Sequence, residues 1–254
     1  MTSRYDVTLN DKKLSSVNKN LLILDVAYST SESFERSRIA NRDGARLSSL
    51  YREGSSVTVT FELHVYDIQK RQTALADVIT WAKDGGVLKI NDRKDQSLQC
   101  VCEKLPAISV KNWTEPLTIT FSAYAFPYWE ETKATVATLS GKNVSGTIKV
   151  NGNAPKAYAN VTVKATAAIT SLTVKIGSSS IALSGISIAA GKTVVFSYDS
   201  NKILSIMTGT TSLLSKRTAK SSDDLVASCG KSNKISVVAS ANVTATFSVK
   251  GAFI

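Results

Sequence analysis

Side chains that could act as nucleophiles, metal ligands or proton carriers are few in this chain of 254 residues. His64 is its one histidine, so any His-dependent triad or zinc site would have to use it. Apolar and polar residues alternate around His64, which places it on the polar face of a predicted strand. We therefore favour a surface or interface role over catalysis. No phosphate-binding glycine loop, nucleophile elbow or zinc-ligand spacing occurs elsewhere.

The three cysteines favour a structural role. Cys100 and Cys102 are two residues apart and would share one face of a strand, and Cys229 is distant in the sequence. Their odd number argues against a disulfide scaffold, and free cysteine is often buried. The sequence has no run of about 20 apolar residues, which a membrane span requires, and residues 1–14 lack the pattern of a secretory signal. We expect folding in a cytosol.

Paired carboxylates could support acid–base hydrolysis. The candidates lie in predicted loops: Asp92 and Asp95, Glu130-Glu131, and Asp223-Asp224. Adjacent acidic residues are common in loops, and the spacing does not match an EF-hand. We predict no catalytic residue, cofactor or metal ion, and a carboxylate-dependent hydrolase is the enzymatic alternative.

The net charge of +11 is distributed unevenly. Residues 1–133 contain 18 basic and 17 acidic residues, a net charge of +1, whereas residues 134–254 contain 13 and 3, a net charge of +10. This change predicts two domains. Nucleic-acid binding is one interpretation, but the lysines of the second half occur singly, with one cluster at Lys216, Arg217 and Lys220, and few aromatic residues are available for stacking. We favour a role in solubility.

The first half has the pattern of an α+β domain. Residues 57–66 alternate strictly between apolar and polar types, and residues 21–27 and 117–125 predict two more strands. Residues 29–54 break this pattern, carry charges of both signs and predict a functional arm or a disordered loop.

Residues 67–83 have the apolar spacing of an amphipathic helix. Asp67 can cap its N-terminus, and Gly85-Gly86 ends it. We expect the apolar face of this helix to pack on a sheet through Leu75, Val78, Ile79 and Trp81.

The second half predicts an all-β domain. Short apolar strands at residues 159–164, 172–176, 193–198, 235–238 and 243–249 alternate with turns that contain glycine, a pattern typical of a sandwich or barrel. The turn glycines are Gly177, Gly185, Gly191, Gly209 and Gly230. Pro127 ends the preceding strand, and the charge changes within a few residues of it, so we place the boundary after residue 131.

Four motifs follow one another along the chain. A predicted strand pair precedes a loop with Arg42-Asp43-Gly44, the strand of residues 57–66 leads into the helix, and a later strand ends in Phe126-Pro127-Tyr128-Trp129. The fourth motif is the series Asn151-Gly152-Asn153-Ala154-Pro155, Gly177, Ile181 to Gly185, and Gly230 to Asn233. In this joint order the chain resembles the distal tail (Dit-like) proteins of long, flexible-tailed phages.

The resemblance implies a mainly β fold with a mechanical role. Residues 1–131 would form an α+β, ring-forming domain with one helix on a β-sandwich-like sheet, and residues 132–254 an all-β, galectin-like sandwich. Six copies would form a ring at the tail tip, joined to the tail tube protein, the tail-associated tip protein and receptor-binding proteins. DNA would pass through the channel without specific binding. The protein would belong to the virion and assemble in the host cytoplasm, without a membrane partner.

The resemblance also implies that the arm at residues 29–54 contacts a neighbouring copy. The residues assigned to this oligomer interface are Arg38, Arg42, Asp43, Gly44, Arg46 and Arg52. A carbohydrate-binding β-sandwich module is the alternative function, which rests on the sandwich character of the second half.

Overall fold

The structure, a computed structural model, describes residues 4–38, 45–107 and 115–254, and for residues 32, 34, 36–38 and 45–53 it describes the backbone alone. The chain is mainly β, as predicted. It divides into two compact units, Met1–Trp129 with Ile254 and Glu130–Phe253. This division falls two residues before the boundary that the sequence predicts. Within the described residues, no helix has the length and apolar character needed to cross a membrane.

The first unit is built on an antiparallel sheet of seven strands within the described residues. Strands β1 to β7 cover Val7–Leu9, Lys12–Lys13, Leu21–Arg38, Ala45–Leu63, Gly86–Ile90, Gln96–Lys104 and Leu117–Ala123, and helix α1 covers Ile68–Ala82. The strands lie in the order β3-β4-β7-β6-β5-β1-β2. A short 3-10 helix, Leu14–Ser16, follows β2.

The alternating segment forms the middle of this sheet. Val57, Val59 and Phe61 are fully buried, and β4 pairs Val57 with Phe121 and Val59 with Ile119 of β7. The strand ends at Leu63, however, three residues before the predicted end. His64 therefore lies outside the strand, with its side chain exposed and its Nε2 atom 3.4 Å from the Glu62 carboxylate.

Helix α1 has the predicted bounds, but of the predicted packing residues only Val78 is fully buried. The Asp67 carboxylate accepts a hydrogen bond of 2.9 Å from the Lys70 N–H, as expected of an N-cap. The buried side chains are Arg71, Ala74, Val78 and Ala82, whereas the predicted contacts Leu75, Ile79 and Trp81 are half-buried. Because alanine is small, it lets the helix lie close to the sheet, and the larger apolar side chains cover its flanks.

The cysteine pair on β6 is only partly buried. Cys100 is in the core, and burial raises the pKa of its thiol to about 12. Cys102 is half-buried, because the register of β6 against β7 shifts directly after it. The prediction that both thiols lie in the core is therefore correct for Cys100 and wrong for Cys102.

The irregular segment at residues 29–54 is β structure in the part that the structure describes. β3 continues to Arg38 and β4 begins at Ala45, so the two strands extend far beyond the predicted runs. Ser29, Thr30 and Ser31 are all exposed, although neighbouring residues of a strand point to opposite faces. Alternation marks a strand only where one face is buried, which explains why the sequence gives no strand signal here.

The second unit contains nine strands. Strands β8 to β16 cover Trp129–Lys149, Ala157–Ala165, Ile169–Ile176, Ser179–Ile188, Thr193–Tyr198, Leu204–Thr208, Thr211–Ser212, Val226–Ala227 and Ser232–Phe253. A 3-10 helix, Leu214–Lys216, follows β14. Strand β9 alternates between buried apolar residues and more exposed residues, and its Ala159, Val161 and Val163 are fully buried.

Strand β16 connects the parts of this unit. Residues 235–239 pair with β10 and residues 243–249 pair with β9, and β8 is hydrogen-bonded to β16 as well. The two strands predicted at 235–238 and 243–249 are therefore one continuous strand. Gly185, predicted in a turn, lies within β11 with φ of +61°, where the pairing with β10 changes register. It supplies a β-bulge, which favours glycine at positive φ.

The N-cap of α1 gives a first prediction. Replacing Asp67 with Ala removes the acceptor of the Lys70 N–H, and we expect the free energy of unfolding to fall by about 1 kcal/mol. Asp77→Ala is the matched control, because Asp77 is an exposed residue within the same helix. Chemical denaturation of both variants measures the difference. Equal effects of the two changes would contradict the assignment of the cap.

Candidate functional site

The most distinctive feature of the first unit is a two-stranded ribbon, which we define as residues 29–38 of β3 and 45–55 of β4. Strand β7 pairs with β4 only from Ser56 to Phe61, so within the described residues the ribbon strands pair only with each other. Ten residues of extended chain span about 33 Å. The ribbon therefore extends well beyond the sheet on which it begins.

A ribbon of this kind needs additional contacts. An isolated two-stranded hairpin is at best marginally stable in water, and each outer edge has unpaired N–H and C=O groups. Ser31 and Glu35, which are described, expose their side chains. The geometry thus suits a segment that contacts another protein surface.

The base of the ribbon is fixed on the β3 side by an aromatic–cation stack. The Arg93 guanidinium lies 4.8 Å from the ring centroid of Tyr28 and 4.8 Å from that of Trp129. The two rings meet edge to face at 6.0 Å, and the Tyr28 hydroxyl donates a hydrogen bond to Asp92. Trp129 is almost completely buried, so it anchors β3 firmly to the end of the unit.

The β4 side of the ribbon is fixed by a hydrogen-bonded serine. Ser55 is buried and donates to the Pro127 carbonyl oxygen through its hydroxyl, at 2.8 Å, and through its N–H, at 3.2 Å. The preceding Gly54 has φ of +152° at a register shift, and a Cβ there would lie 3.3 Å from the Ala123 carbonyl oxygen. We call Tyr28, Ser55, Arg93, Pro127 and Trp129 the clamp.

The clamp explains the aromatic-proline motif of the sequence. Trp129 contacts Tyr28 of β3, and the Pro127 carbonyl oxygen accepts hydrogen bonds from Ser55 of β4. Phe126 and Tyr128, both buried, pack edge to face at 5.0 Å. The strand before the motif ends at Ala123 rather than Ala125, because Ala125 has φ of +57° and leaves the extended conformation. Sequence reasoning missed Tyr28 and Arg93, which are far from the motif in the chain.

Three of the six predicted interface residues lie within the ribbon strands, where the structure describes their backbone. Arg38 is paired with Ala45, Arg46 with Ser37, and Arg52 with Glu32. Arg42, Asp43 and Gly44 lie outside the described residues. The interface assignment remains a prediction.

Four of the six candidate carboxylates have the following structural partners. Asp92 accepts the hydrogen bond from Tyr28, Glu130 forms an ion pair of 2.7 Å with Lys202, and Asp223 lies 3.7 Å from Arg217 with its side chain fully exposed. Glu131 accepts hydrogen bonds from Asn151 and from the Gly251 N–H. The described residues contain no group of three or more potential metal ligands.

Aromatic rings in the second unit do not offer an open stacking face. Tyr158 and Tyr198 are half-buried with ring centroids 4.7 Å apart, and the amines of Lys156 and Lys202 lie 5.4 and 5.8 Å from the Tyr158 centroid. The Tyr198 hydroxyl accepts a hydrogen bond from the Leu225 N–H, and burial raises its pKa. Carbohydrate binding, the alternative function, gains no support from these rings.

A surface pocket of about 490 Å³ lies beside α1 in the first unit. Its walls include Leu9, Val17 and Trp81 with Asp77 and Asp84. The Trp81 N–H donates to the Lys12 carbonyl oxygen at 2.9 Å, and its ring packs edge to face on Phe121. No histidine or cysteine lines the pocket, so it offers volume for binding but no nucleophile–base pair.

This fold, a sheet with one helix followed by an all-β unit, is similar to that of solved phage hub and baseplate proteins. The crystal structure of the Dit protein of phage SPP1, described as a paradigm of the hub adsorption apparatus in Gram-positive-infecting phages, matches with a TM-score of 0.71 at 11% identity, over 97% of this chain and 98% of that chain. The phage P2 baseplate in its activated conformation, with Ca or with Sr, matches with a TM-score of 0.52 at 10% identity, over 97% of both chains.

No family model and no curated protein sequence matches the chain. At identities of 10–11% the likeness establishes the fold, and it does so over nearly the full length of each compared chain.

The stack in the clamp gives a second prediction. Removing the guanidinium with Arg93→Ala deletes two cation–π contacts, and we expect the free energy of unfolding to fall by about 1–2 kcal/mol. Lys94→Ala is the matched control, since Lys94 is the adjacent exposed cation and should change stability by less than about 0.5 kcal/mol. Hydrogen exchange should also accelerate at the β3 amides near Tyr28 in the Arg93 variant alone. Equal behaviour of both variants would contradict the clamp.

A third prediction concerns the alkaline stability of the clamp. Burial, followed by the hydrogen bond to Asp92, raises the pKa of the Tyr28 hydroxyl above its usual value of about 10. The unfolded chain therefore loses this proton first, so the stabilisation is fully present below about pH 10 and declines at higher pH. The difference in unfolding free energy between wild type and Tyr28→Phe should shrink from about pH 8 to about pH 11. Tyr66→Phe, at a residue 84% exposed, should show no such trend.

Proposed function

We propose that the chain is a non-enzymatic hub protein of a phage tail tip or baseplate, which assembles into a six-membered ring. The ring joins the tail tube protein to the tail-associated tip protein and receptor-binding proteins, and the protein resides in the virion after assembly in the host cytoplasm. The observation that carries this proposal is the match to the SPP1 hub protein over 97% of this chain.

The ribbon supports assembly through a neighbouring copy. Its strands have no third strand beside them in the described residues, and its base is fixed by the clamp. A protruding segment that contacts a different patch on the next copy makes a heterologous interface, which closes into a ring when the rotation permits. We assign this contact to Arg38, Arg42, Asp43, Gly44, Arg46 and Arg52.

Our candidate for the channel lining is the outer face of β4 and β7. Thr58, Thr60, Thr118, Thr120 and Ser122 are half-buried there, and the Thr58 and Thr120 hydroxyls lie 3.3 Å apart. Residues 57–63 and 117–123 contain no lysine or arginine. A hydroxyl face without cations gives DNA phosphates no ion pairs, which suits passage without specific binding.

The fourth prediction tests assembly through the arm. Wild-type protein should form particles of about six copies, and Arg38→Glu/Arg42→Glu/Arg46→Glu should shift the population to monomers, because opposite charges set the register of such interfaces. Lys142→Glu/Lys164→Glu/Lys192→Glu makes the same change in net charge within the second unit and should still assemble. Mass photometry and negative-stain imaging measure the outcome. A wild-type protein that is monomeric at every concentration contradicts the ring, and a triple arm variant that assembles normally contradicts the role of the arm.

A further inference from the structure

The second unit carries a large excess of positive charge that its own acidic residues do not neutralise. Residues 130–253 contain 14 lysines and arginines and five aspartates and glutamates, a net charge of +9. All residues of this unit are described, and its ion pairs are Lys202 with Glu130 and Arg217 with Asp223. Glu131 and Asp199 are held by amide groups, Asp199 by the N–H groups of Asn201 and Ile203.

Four of the unpaired lysines converge on one surface. Lys175 on β10 stands directly opposite Ser236 on β16, so Lys234, two residues from Ser236, is its diagonal neighbour on the same face. Such diagonal pairs lie about 7–8 Å apart. Both side chains are exposed, while the intervening Ile235 is fully buried.

Strand β8 adds the other edge of this surface. The Val150 N–H donates to the Lys231 carbonyl oxygen at 3.2 Å, and the Gly230 N–H donates to the Val150 carbonyl oxygen at 2.8 Å. Ile148 and Val150 are buried and Lys149 between them is exposed, so Lys149 points outward, and Lys231, also exposed, lies directly before β16. β8, β16 and β10 are adjacent strands about 4.8 Å apart, so Lys149, Lys234 and Lys175 lie across about 10 Å of one sheet face, and Lys231 lies at its edge. We call Lys149, Lys175, Lys231 and Lys234 the lysine face.

We propose that the lysine face binds a flexible polyanion whose charges are repeated phosphate groups without bases. Lysine is a compact, hydrated point charge that suits phosphate without fixing its orientation, and the face has no arginine to bind carboxylates in the bidentate manner. Lysine and serine are depleted in protein–protein interfaces, which makes an acidic protein a poorer fit.

Nucleic acid fits this surface less well than a base-free polymer. Single strands bind through stacking on aromatic rings, and none of the aromatic side chains of residues 130–253, all of which are described, is exposed. Base edges of a duplex are read by groups placed in a groove, whereas the lysine face is spread over three strands of a sheet, with Ser236 beside Lys175 and Lys234. The inference does not depend on the formation of a ring.

The experiment compares two quadruple variants of the full chain with equal net charge. Lys149→Gln/Lys175→Gln/Lys231→Gln/Lys234→Gln removes the lysine face, and Lys142→Gln/Lys164→Gln/Lys192→Gln/Lys250→Gln removes four exposed lysines elsewhere in the same unit. The probe is linear inorganic polyphosphate, titrated by fluorescence anisotropy at several salt concentrations. Thermal unfolding checks that both variants fold, as exposed lysine-to-glutamine changes should permit.

Wild type should bind polyphosphate with an affinity that falls as salt increases, and loss of the lysine face should weaken binding by about tenfold or more and reduce the salt dependence. The matched variant should bind within about threefold of wild type. Equal weakening of both variants would show attraction by net charge alone and would overturn the proposal, as would the absence of binding by wild type.

Two competing probes complete the test. Polyglutamate and a DNA duplex, each at the same concentration of charges as the polyphosphate, should bind more weakly than polyphosphate. Tighter binding of polyglutamate that depends on the lysine face would identify an acidic protein as the partner and overturn the proposal. Tighter binding of DNA that depends on these lysines would likewise replace it with a nucleic-acid site.

Discussion

The Arg93 guanidinium lies between the rings of Tyr28 and Trp129 and joins three distant parts of the first unit: strand β3, the turn after β5 and the end of the unit. Its charge is stabilised by the two ring faces, and the Asp92 carboxylate next to it in the chain accepts the Tyr28 hydrogen bond. The stack determines where the ribbon leaves the sheet. Ser55, bonded twice to Pro127, fixes the second strand at the same level, so both strands of the ribbon start from a defined position.

The fixed base of the ribbon has a consequence for energetics. The residues of the sheet gain stability from the core through side chains such as Val57 and Phe121. Among the described side chains of the ribbon, Ser29, Thr30, Ser31 and Glu35 are exposed and add nothing to that core. Their order depends on backbone hydrogen bonds between two strands, which are barely sufficient in water. A partner surface would stabilise the ribbon without any change in its base, and the clamp lowers the entropic cost of that contact by limiting the directions the ribbon can sample.

The sequence predicted those elements in which one face is buried. Strand β4 between Val57 and Leu63, helix α1 with its Asp67 cap, and most strands of the second unit repeat with the period of their structure. The ribbon could not be predicted, because consecutive side chains such as Ser29, Thr30 and Ser31 are all exposed and residues 29–54 show no alternation of apolar and polar types. The clamp could not be predicted either, since Tyr28, Arg93 and Trp129 are separated by dozens of residues. Of the clamp residues, only Pro127 and Trp129 belong to a motif that can be recognised in the sequence.

The surface formed by the lysines, like the clamp, could not be predicted from the sequence. In the sequence they are single residues that suggest solubility, and only strand pairing brings Lys149, Lys175 and Lys234 to one surface. The first unit, with 17 basic and 15 acidic residues, instead forms local ion pairs such as Lys13 with Asp6 and Lys89 with Asp11. Charges of both signs suit a contact that must select one register, because wrong pairings place like charges together. An excess of one sign cannot select a register, so the second unit is suited to a partner whose charge is uniform along its length.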